Sequence, residues 1–251
     1  MFKINLLFVL GLLIQTTTHA QSKDFLLATA LYKVTVVRNG IKGVDDICEL
    51  KIGKKNSYFF SKRERDNRNF IEDKVAKATA TNSSLNFERG EIITNYYRYS
   101  TIFEHNEKTA IVLEDFGSNI FGYKPNNLNV ESWKITQDTL TINKLFCRKA
   151  VLKRDTTSID AWFCTDIPFK DGPFSYFGLP GLIIKLKTTN GSEAILTEIK
   201  FSSNQLQTFE LPKYTLITSD QMMKARENRK FAPTKGISTG GTLFKIEKKE
   251  N

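Results

Sequence analysis

Histidine is nearly absent from this chain, which has two in 251 residues, His19 and His105. We predict below that His19 is removed, so a catalytic triad, a Cys–His dyad or a histidine zinc site would depend on His105. No nucleophile motif, HExxH helix, P-loop or Rossmann glycine pattern accompanies it, and it lies in a polar stretch that we expect to be solvated. The sequence therefore predicts no catalytic residue, no metal ligand and no cofactor.

Long apolar runs are also missing, except at the N-terminus. There, Lys3 precedes an apolar stretch of about ten residues, and the small residue Ala20 follows a short polar segment. This pattern predicts a Sec signal peptide over residues 1–20, because the stretch is too short to span a bilayer. We expect an exported, periplasmic or secreted protein with no lipoprotein anchor and no transmembrane segment after cleavage.

Positive charge is in excess, with 37 Lys and Arg against 27 Asp and Glu and a formal net charge of +10. Such a balance suits an anionic surface or an acidic ligand, although ordinary solvated charge explains it as well. Export argues against a nucleic-acid partner. Within a predicted helix over residues 62–79, which Ser61 caps, Arg63, Arg65 and Arg68 form either an anion site or a solvated face.

Alternating apolar and polar residues predict a mainly β fold. The expected strands cover residues 25–38, 47–52, 57–60, 92–100, 109–114, 130–136, 139–154, 158–167, 182–187, 193–201 and 207–217. Asn39-Gly40 and Asn190-Gly191 mark hairpin turns, and Ser219 caps a second helix over residues 220–229. We predict a curved antiparallel sheet, a partial or full barrel with one or two short helices packed against it. It forms a single domain over residues 21–232 with a flexible tail over residues 233–251.

A turn rich in glycine and proline precedes the strand at 182–187. Pro180 fixes φ and Gly181 supplies a positive φ, which predicts a type II turn over residues 179–182. Leu182, Ile184 and Leu186 should then share one face of the strand. We assign structural turn roles to Gly172, Pro173, Gly178, Pro180 and Gly181.

The three cysteines allow one disulfide. If the hairpin of residues 139–154 and 158–167 turns at Asp155-Thr156, Arg154 faces Thr157 and Cys147 lies opposite Cys164. We predict a disulfide between Cys147 and Cys164, with Cys48 left as a buried free thiol.

Residues 142–186 resemble the GLPGLI family of exported Bacteroidota proteins, which has no assigned activity. The matching residues are Cys147, Lys149, Ala150, Ala161, Trp162, Phe163, Ile167, Pro168, Gly172, Pro173, Phe177 and Gly178 to Ile183. Lys144-Leu145 stand where the family usually has Gly-Tyr, and Cys164 stands where it has Thr. The resemblance implies export and suggests an outer-membrane receptor as partner, because members are often encoded near such receptors.

Apolar residues around the motif either fill the core and brace the turns or form an exposed binding rim. The candidate binding residues are Trp162, Phe174, Tyr176, Phe177, Leu179 and Pro180. We predict a non-catalytic envelope protein that binds a hydrophobic ligand or an outer-membrane protein. The alternative is a carboxylate-dependent hydrolase, with candidate acids Glu114, Asp115, Asp160, Asp166 and Asp171. A dry apolar cavity would favour the first, and two carboxylates within about 10 Å in an open polar cleft the second.

Overall fold

The computed structural model describes residues 17–19, 22–38, 40–88, 90–116, 119–125, 133–154, 157–203, 206–231, 238–239 and 242–243. The strands are β1 (Thr17–His19), β2 (Ser22–Arg38), β3 (Ile41–Gly53), β4 (Asn56–Ser61), β5 (Tyr99–Glu104), β6 (Thr109–Asp115), β7 (Ile120–Tyr123), β8 (Lys134–Ile142), β9 (Leu145–Arg154), β10 (Thr157–Cys164), β11 (Leu182–Thr188), β12 (Glu193–Phe201), β13 (Thr208–Leu211), β14 (Tyr214–Leu216), β15 (Ser238–Thr239) and β16 (Thr242–Leu243). The helices are α1 (Lys62–Thr81) and α2 (Ser219–Phe231). Apart from β1, the predicted signal peptide lies outside the described residues. The same holds for the predicted tail apart from β15 and β16.

One large sheet dominates the fold, and it is open. Its strands follow the order β1-β14-β7-β6-β5-β4-β3-β2-β12-β11-β10-β9-β8, and β13 adds to one end of β2. All of the pairs are antiparallel except β14 with β7, which is parallel. The predicted mainly β fold with helices packed against a curved sheet is confirmed. No pairing among the described residues closes the sheet into a barrel, and α1, at 20 residues, is longer than expected.

The 17-residue strand β2 lies at the centre of the sheet. It pairs with β3 along one side and with β12 and β13 along the other. Its alternate residues from Leu26 to Val34 are buried and pack into the core. Arg38 pairs with Ile41, which confirms the hairpin predicted at Asn39-Gly40.

Side-chain caps start both helices. Ser61 Oγ accepts a hydrogen bond from the backbone N–H of Glu64 at 3.0 Å, as predicted for α1. The cap of α2 is Thr218, one residue before the predicted Ser219. Thr218 Oγ1 accepts from the N–H of Gln221 at 3.2 Å, while the Gln221 side chain accepts from the N–H of Thr218 at 2.8 Å. This reciprocal pair is a capping box.

The predicted type II turn over residues 179–182 is wrong. Positive φ occurs at Gly178, with φ +93°, and Gly181 is not among the glycines with positive φ. Position 181 needs glycine for a different reason, because a Cβ there would overlap the carbonyl oxygen of Cys164. The glycine therefore allows close approach of two backbone segments.

A β-bulge changes the predicted faces of β11. Trp162 pairs with Lys185 and Phe163 with Ile183, so Ile184 is an extra residue on β11. Leu182 and Ile184 pack into one core cluster, whereas Leu186 packs with Ile183 in another. The shared face predicted for Leu182, Ile184 and Leu186 is therefore wrong at Leu186.

The hairpin of β9 and β10 has the predicted register but lacks the predicted disulfide. Arg154 pairs with Thr157, and the register continues to Arg148 with Phe163. Cys164 pairs with Leu182 of β11 on the other side of β10, and the Cys147 thiol donates to the carbonyl of Leu145 at 3.5 Å. All three cysteines are buried free thiols.

Three predicted strand boundaries are also wrong. The strand expected over residues 92–100 begins only at Tyr99, because Asn67 and Asp46 bind the backbone of residues 93 and 97 through their side chains. The strand expected over residues 139–154 breaks at Asn143 and Lys144, whose φ angles are 51° and 67°. Lys144 thus takes a conformation that glycine adopts more readily. Pro212 lies in the gap that divides the strand expected over residues 207–217.

Candidate functional site

An open groove lined by both charged and apolar side chains lies between α1 and the sheet. Strands β3 to β7 contribute to its floor, and the end of β13 together with Pro212 forms one side. Its volume is about 320 Å³. We call it the charged groove, and its charged lining residues are Lys51, Glu64, Arg65, Arg68, Arg98, Glu114, Asp115 and Glu210.

Helix α1 places its charged residues on the groove because of where it begins. Ser61 ends β4 and caps α1 directly, so the first turn of the helix lies next to the end of the strand from which it starts. Glu64 and Arg68 are four residues apart and therefore project from the same face. The local sequence thus fixes one wall of the groove.

Two carboxylates share one guanidinium nitrogen at the centre of the groove. Arg68 Nη2 lies 3.1 Å from Glu64 Oε1 and 2.8 Å from Asp115 Oδ2. These carboxylate oxygens are therefore within about 6 Å of each other. Asp115 was a predicted candidate acid, whereas Glu64 was not.

Burial raises the pKa of Glu64 to about 7. The charge of Arg68 opposes this effect, while the nearby carboxylates of Asp115 and Asp46 add to it. Burial lowers the pKa of Arg68, but the carboxylates of Asp115 and Glu64 outweigh this effect and raise it. Glu64 can therefore accept or release a proton near neutral pH.

Ion pairs also hold other charged residues of the groove lining. The Glu114 side chain is 8% exposed and binds two nitrogens of Arg226, Nε at 2.9 Å and Nη2. Arg65 binds Glu49 at 2.9 Å and lies over the ring of Phe60. A charged side chain therefore covers the Phe60 ring at the groove surface.

Arg98 differs from the other cations of the groove. It is exposed at the groove, and it forms no hydrogen bond or ion pair with any residue that the structure describes. Arg63, Arg65 and Arg68 all have partners, since Arg63 binds the carbonyl of Asp45 and the carboxylate of Asp46. The three α1 arginines are therefore only partly exposed, and each already contacts an acidic or carbonyl group of the protein.

The predicted binding residues around the motif pack into the core. Phe177 and Leu179 are buried, and Phe174, Tyr176 and Trp162 are partly buried. Phe174 contacts the rings of Phe59 and Tyr97, and Pro180 is exposed. The cavity beneath this loop measures about 10 Å³, enough for one water molecule. A ligand-binding role for these residues stays a prediction, and this cavity does not accommodate an acyl chain.

His105 is only partly exposed, whereas the sequence analysis expected it to be solvated. Its Nε2 lies 3.0 Å from Ser57 Oγ and 3.1 Å from Asp171 Oδ1, and its side chain is 25% exposed. A Ser-His-Asp triad places serine and aspartate on opposite ring nitrogens, whereas here both contact Nε2. Ser57 is also 1% exposed, beyond the reach of a substrate. The cluster therefore connects the motif loop to the sheet and does not form a triad.

The remaining candidate acids are scattered. Asp160 pairs with Lys149 at 2.8 Å, Asp166 is exposed, and Asp171 binds His105. Among the described residues, no group of three or more His, Cys, Asp or Glu is arranged to hold a metal ion. The helices in the same part of the chain include none with the length and apolar character needed to cross a membrane.

Comparisons with known proteins give a family of unknown function and a fold. Residues 152–185 match a family model described as "Protein of unknown function (Porph_ging)". This segment overlaps the motif that carries the sequence resemblance, and it is consistent with a Bacteroidota-associated family. No curated protein matches the chain.

Two crystal structures of PNGF-II are similar in fold. In the P21 and C2 space groups they superpose with TM-scores of 0.52 and 0.50, and the sequence identity is 14% in both. Each match covers 80% of this chain but only 33% or 32% of the PNGF-II chain. This chain thus spans about a third of the length of the PNGF-II chains, and the likeness shows the fold alone.

Proposed function

We propose that the protein is a non-catalytic binding protein of the cell envelope and that its ligand site is the charged groove. One observation carries the proposal. Glu64, a partly buried acid whose pKa is raised by desolvation to about 7, shares Arg68 with Asp115 in an open groove of about 320 Å³. Strongly shifted acids in a cleft are concentrated at functional sites.

The character of this groove supports a polar ligand in place of the predicted hydrophobic one. Its walls carry four cationic and four anionic side chains, whereas the apolar cavity beneath the motif loop measures only about 10 Å³. An outer-membrane protein as an additional partner remains part of the proposal. The envelope location rests on the N-terminal sequence pattern.

Arg68 favours binding over catalysis. In a glycoside hydrolase the acid and the nucleophile, or the acid and the base, both face the scissile bond. Here Glu64 and Asp115 face Arg68, which occupies the space between them. A reaction would therefore require Arg68 to leave both carboxylates first.

A carboxylate-dependent hydrolase is the second candidate. It is favoured by the separation of Glu64 and Asp115, which satisfies the condition of two acids within about 10 Å in a polar cleft. Purified protein would be assayed with a panel of chromogenic glycosides and esters. Turnover that is lost in both Glu64→Gln and Asp115→Asn would establish the hydrolase and overturn the binding proposal.

Native mass spectrometry of exported protein tests the binding proposal directly. We expect a retained ligand to appear as added mass. The variant Asn69→Trp fills the groove, because Asn69 is exposed in its lining. Ala76→Trp is the matched control, since Ala76 is exposed two turns further along α1 and outside the lining. Added mass that persists in Asn69→Trp would contradict the groove as the ligand site.

A further inference from the structure

We infer that the ligand of the charged groove carries an acidic group, and that it enters the groove together with one proton taken up by Glu64. This inference rests on the proposed function and adds the ligand class and its coupling to protons. It involves no covalent step, because the proton comes from solvent and stays on a Glu64 oxygen while the ligand is bound.

The pairing of charges in the groove supports an acidic ligand. Each lining acid already has a cationic partner within the protein: Arg68 for Glu64 and Asp115, Arg226 for Glu114, and Lys23 for Glu210. Two of the other cations also have partners, since Lys51 and Arg65 both pair with Glu49 and Arg65 also lies 3.6 Å from Asp66. Arg98 forms no hydrogen bond or ion pair with any described residue. The unpaired charge of the lining is therefore a cation, and it attracts a carboxylate, phosphate or sulfate.

The surroundings of Glu64 explain why a proton should accompany the ligand. Six titratable or charged groups interact electrostatically with Glu64. They are Arg68 on α1, Asp46 and Cys48 on β3, Tyr58 on β4, Tyr96 before β5 and Asp115 on β6. Of these, only Arg68 is cationic, and its Nη2 already serves two carboxylates. A ligand anion adds further negative charge, which a proton on Glu64 relieves.

Thermodynamic linkage gives this coupling a direction. Protonation of Glu64 leaves Arg68 paired with Asp115 and makes the groove more positive, so the acidic ligand binds more tightly. By reciprocity, the bound ligand raises the proton affinity of Glu64. Affinity should therefore fall as pH rises, by about tenfold between roughly pH 6 and pH 8 if the ligand shifts the Glu64 equilibrium by about two pH units.

Isothermal titration calorimetry with glucose 6-sulfate as probe and glucose as neutral control tests both parts. A sulfate ester does not titrate near neutral pH, so protons exchanged on binding belong to the protein. Titrations near pH 7 in buffers with different ionisation enthalpies should show uptake of about half a proton per bound sulfate probe. The uptake should vanish in Glu64→Gln and persist in Glu72→Gln, which alters an exposed acid of α1 outside the lining.

Variants of two exposed arginines test the contribution of Arg98. Arg98→Ala should weaken binding of the sulfate probe by about tenfold, because it removes the unmatched cation. Arg148→Ala is the matched control, since Arg148 is exposed on β9 away from the groove. Equal weakening by both substitutions would overturn the site, because the attraction would then come from the overall positive charge of the protein and not from Arg98.

A lipid headgroup offers the same acidic chemistry as a soluble ligand. A second arm therefore measures sedimentation with phosphatidylcholine vesicles that contain or lack phosphatidylglycerol. Proton-coupled binding in either arm supports the inference and identifies the carrier of the acidic group. Equal binding of glucose and its sulfate, or sulfate binding without proton uptake, overturns the inference but leaves the groove as a ligand site. Added mass that persists in Asn69→Trp overturns the proposed function itself.

Discussion

His105 Nε2 lies 3.1 Å from Asp171 Oδ1, and this contact joins the turn between β5 and β6 to the loop that precedes the motif strand. Asp171 is buried, and its carbonyl accepts a hydrogen bond from the N–H of Ile183 at 3.1 Å. The aspartate therefore holds β11 through its backbone and the β5–β6 turn through its side chain. In the sequence, Asp171 was only one of five candidate acids.

The His105–Asp171 contact should make stability depend on pH. Burial lowers the pKa of His105, but the hydrogen bond to Asp171 and its negative charge outweigh this and raise the pKa above its usual value. A group whose pKa is raised by folding stabilises the fold fully below its unfolded pKa, about 6.5, and loses this contribution as pH rises through the folded value. We expect Tm to fall across that window in the wild type.

The variant His105→Gln is the control for this pH effect. Glutamine keeps a donor for Asp171 but does not titrate, so the decline in Tm across the window should flatten. Asp171→Asn should lower the free energy of unfolding by about 1–3 kcal/mol below pH 6.5, because it removes a hydrogen bond to a charged group. A wild-type Tm slope unchanged in His105→Gln would contradict this assignment. Thermal unfolding followed by circular dichroism gives both values.

Gly181→Ala should destabilise the fold strongly. The added Cβ would overlap the carbonyl oxygen of Cys164, a backbone atom that cannot move away as a side chain would. We expect a loss of about 3 kcal/mol in the free energy of unfolding, measured with urea. Gly43→Ala is the matched control on β3, where the nearest atom to a new Cβ, the carbonyl oxygen of Val36, lies at an ordinary contact distance of 3.5 Å. Equal effects of the two substitutions would show that close approach is not what requires glycine at 181.

The sequence correctly predicted those features that depend only on residues close by in the chain. Ser61 as a cap for α1 and Asn39-Gly40 as a hairpin turn depend on atoms within a few residues, and both predictions are confirmed. Position 181 does require glycine, but the predicted reason, a positive φ in a type II turn, is wrong. Its constraint comes from Cys164, a residue on another strand, and the Pro-Gly sequence carries no information about that distance.

The candidate site was largely invisible in the sequence because its contacts are long-range. Arg68 meets Asp115 across 47 positions, and Arg226 meets Glu114 across 112. Asp115 and Glu114 were candidates only as acids, with nothing in their spacing to distinguish them. The one local signal was the four-residue separation of Glu64 and Arg68, which ordinary surface helices also show.

Arg226→Ala should cost more stability than the loss of an exposed ion pair. The substitution leaves the Glu114 carboxylate buried without its cation, and we expect a loss of about 2–3 kcal/mol in the free energy of unfolding. Lys77→Ala removes an exposed pair with Asp73 on α1 and should produce no measurable change. Restoring stability with Arg226→Ala combined with Glu114→Gln would show that the cost arises from the unpaired carboxylate. If the double variant is no better than Arg226→Ala, the arginine acts through its packing against Tyr123.

The state of the cysteines can be measured by counting reactive thiols. Cys48, Cys147 and Cys164 are free and buried, and burial together with the neighbouring Cys164 raises the pKa of the Cys147 thiol to about 11. Folded protein should therefore react slowly with iodoacetamide, because the thiolate is the reactive species and it is both scarce and covered. Unfolding in urea without a reductant should expose all three thiols, and mass spectrometry should then show three added groups per chain. A single added group on Cys48 would instead establish the predicted Cys147–Cys164 disulfide. Continued by one residue, the register of β9 and β10 places these two positions opposite each other.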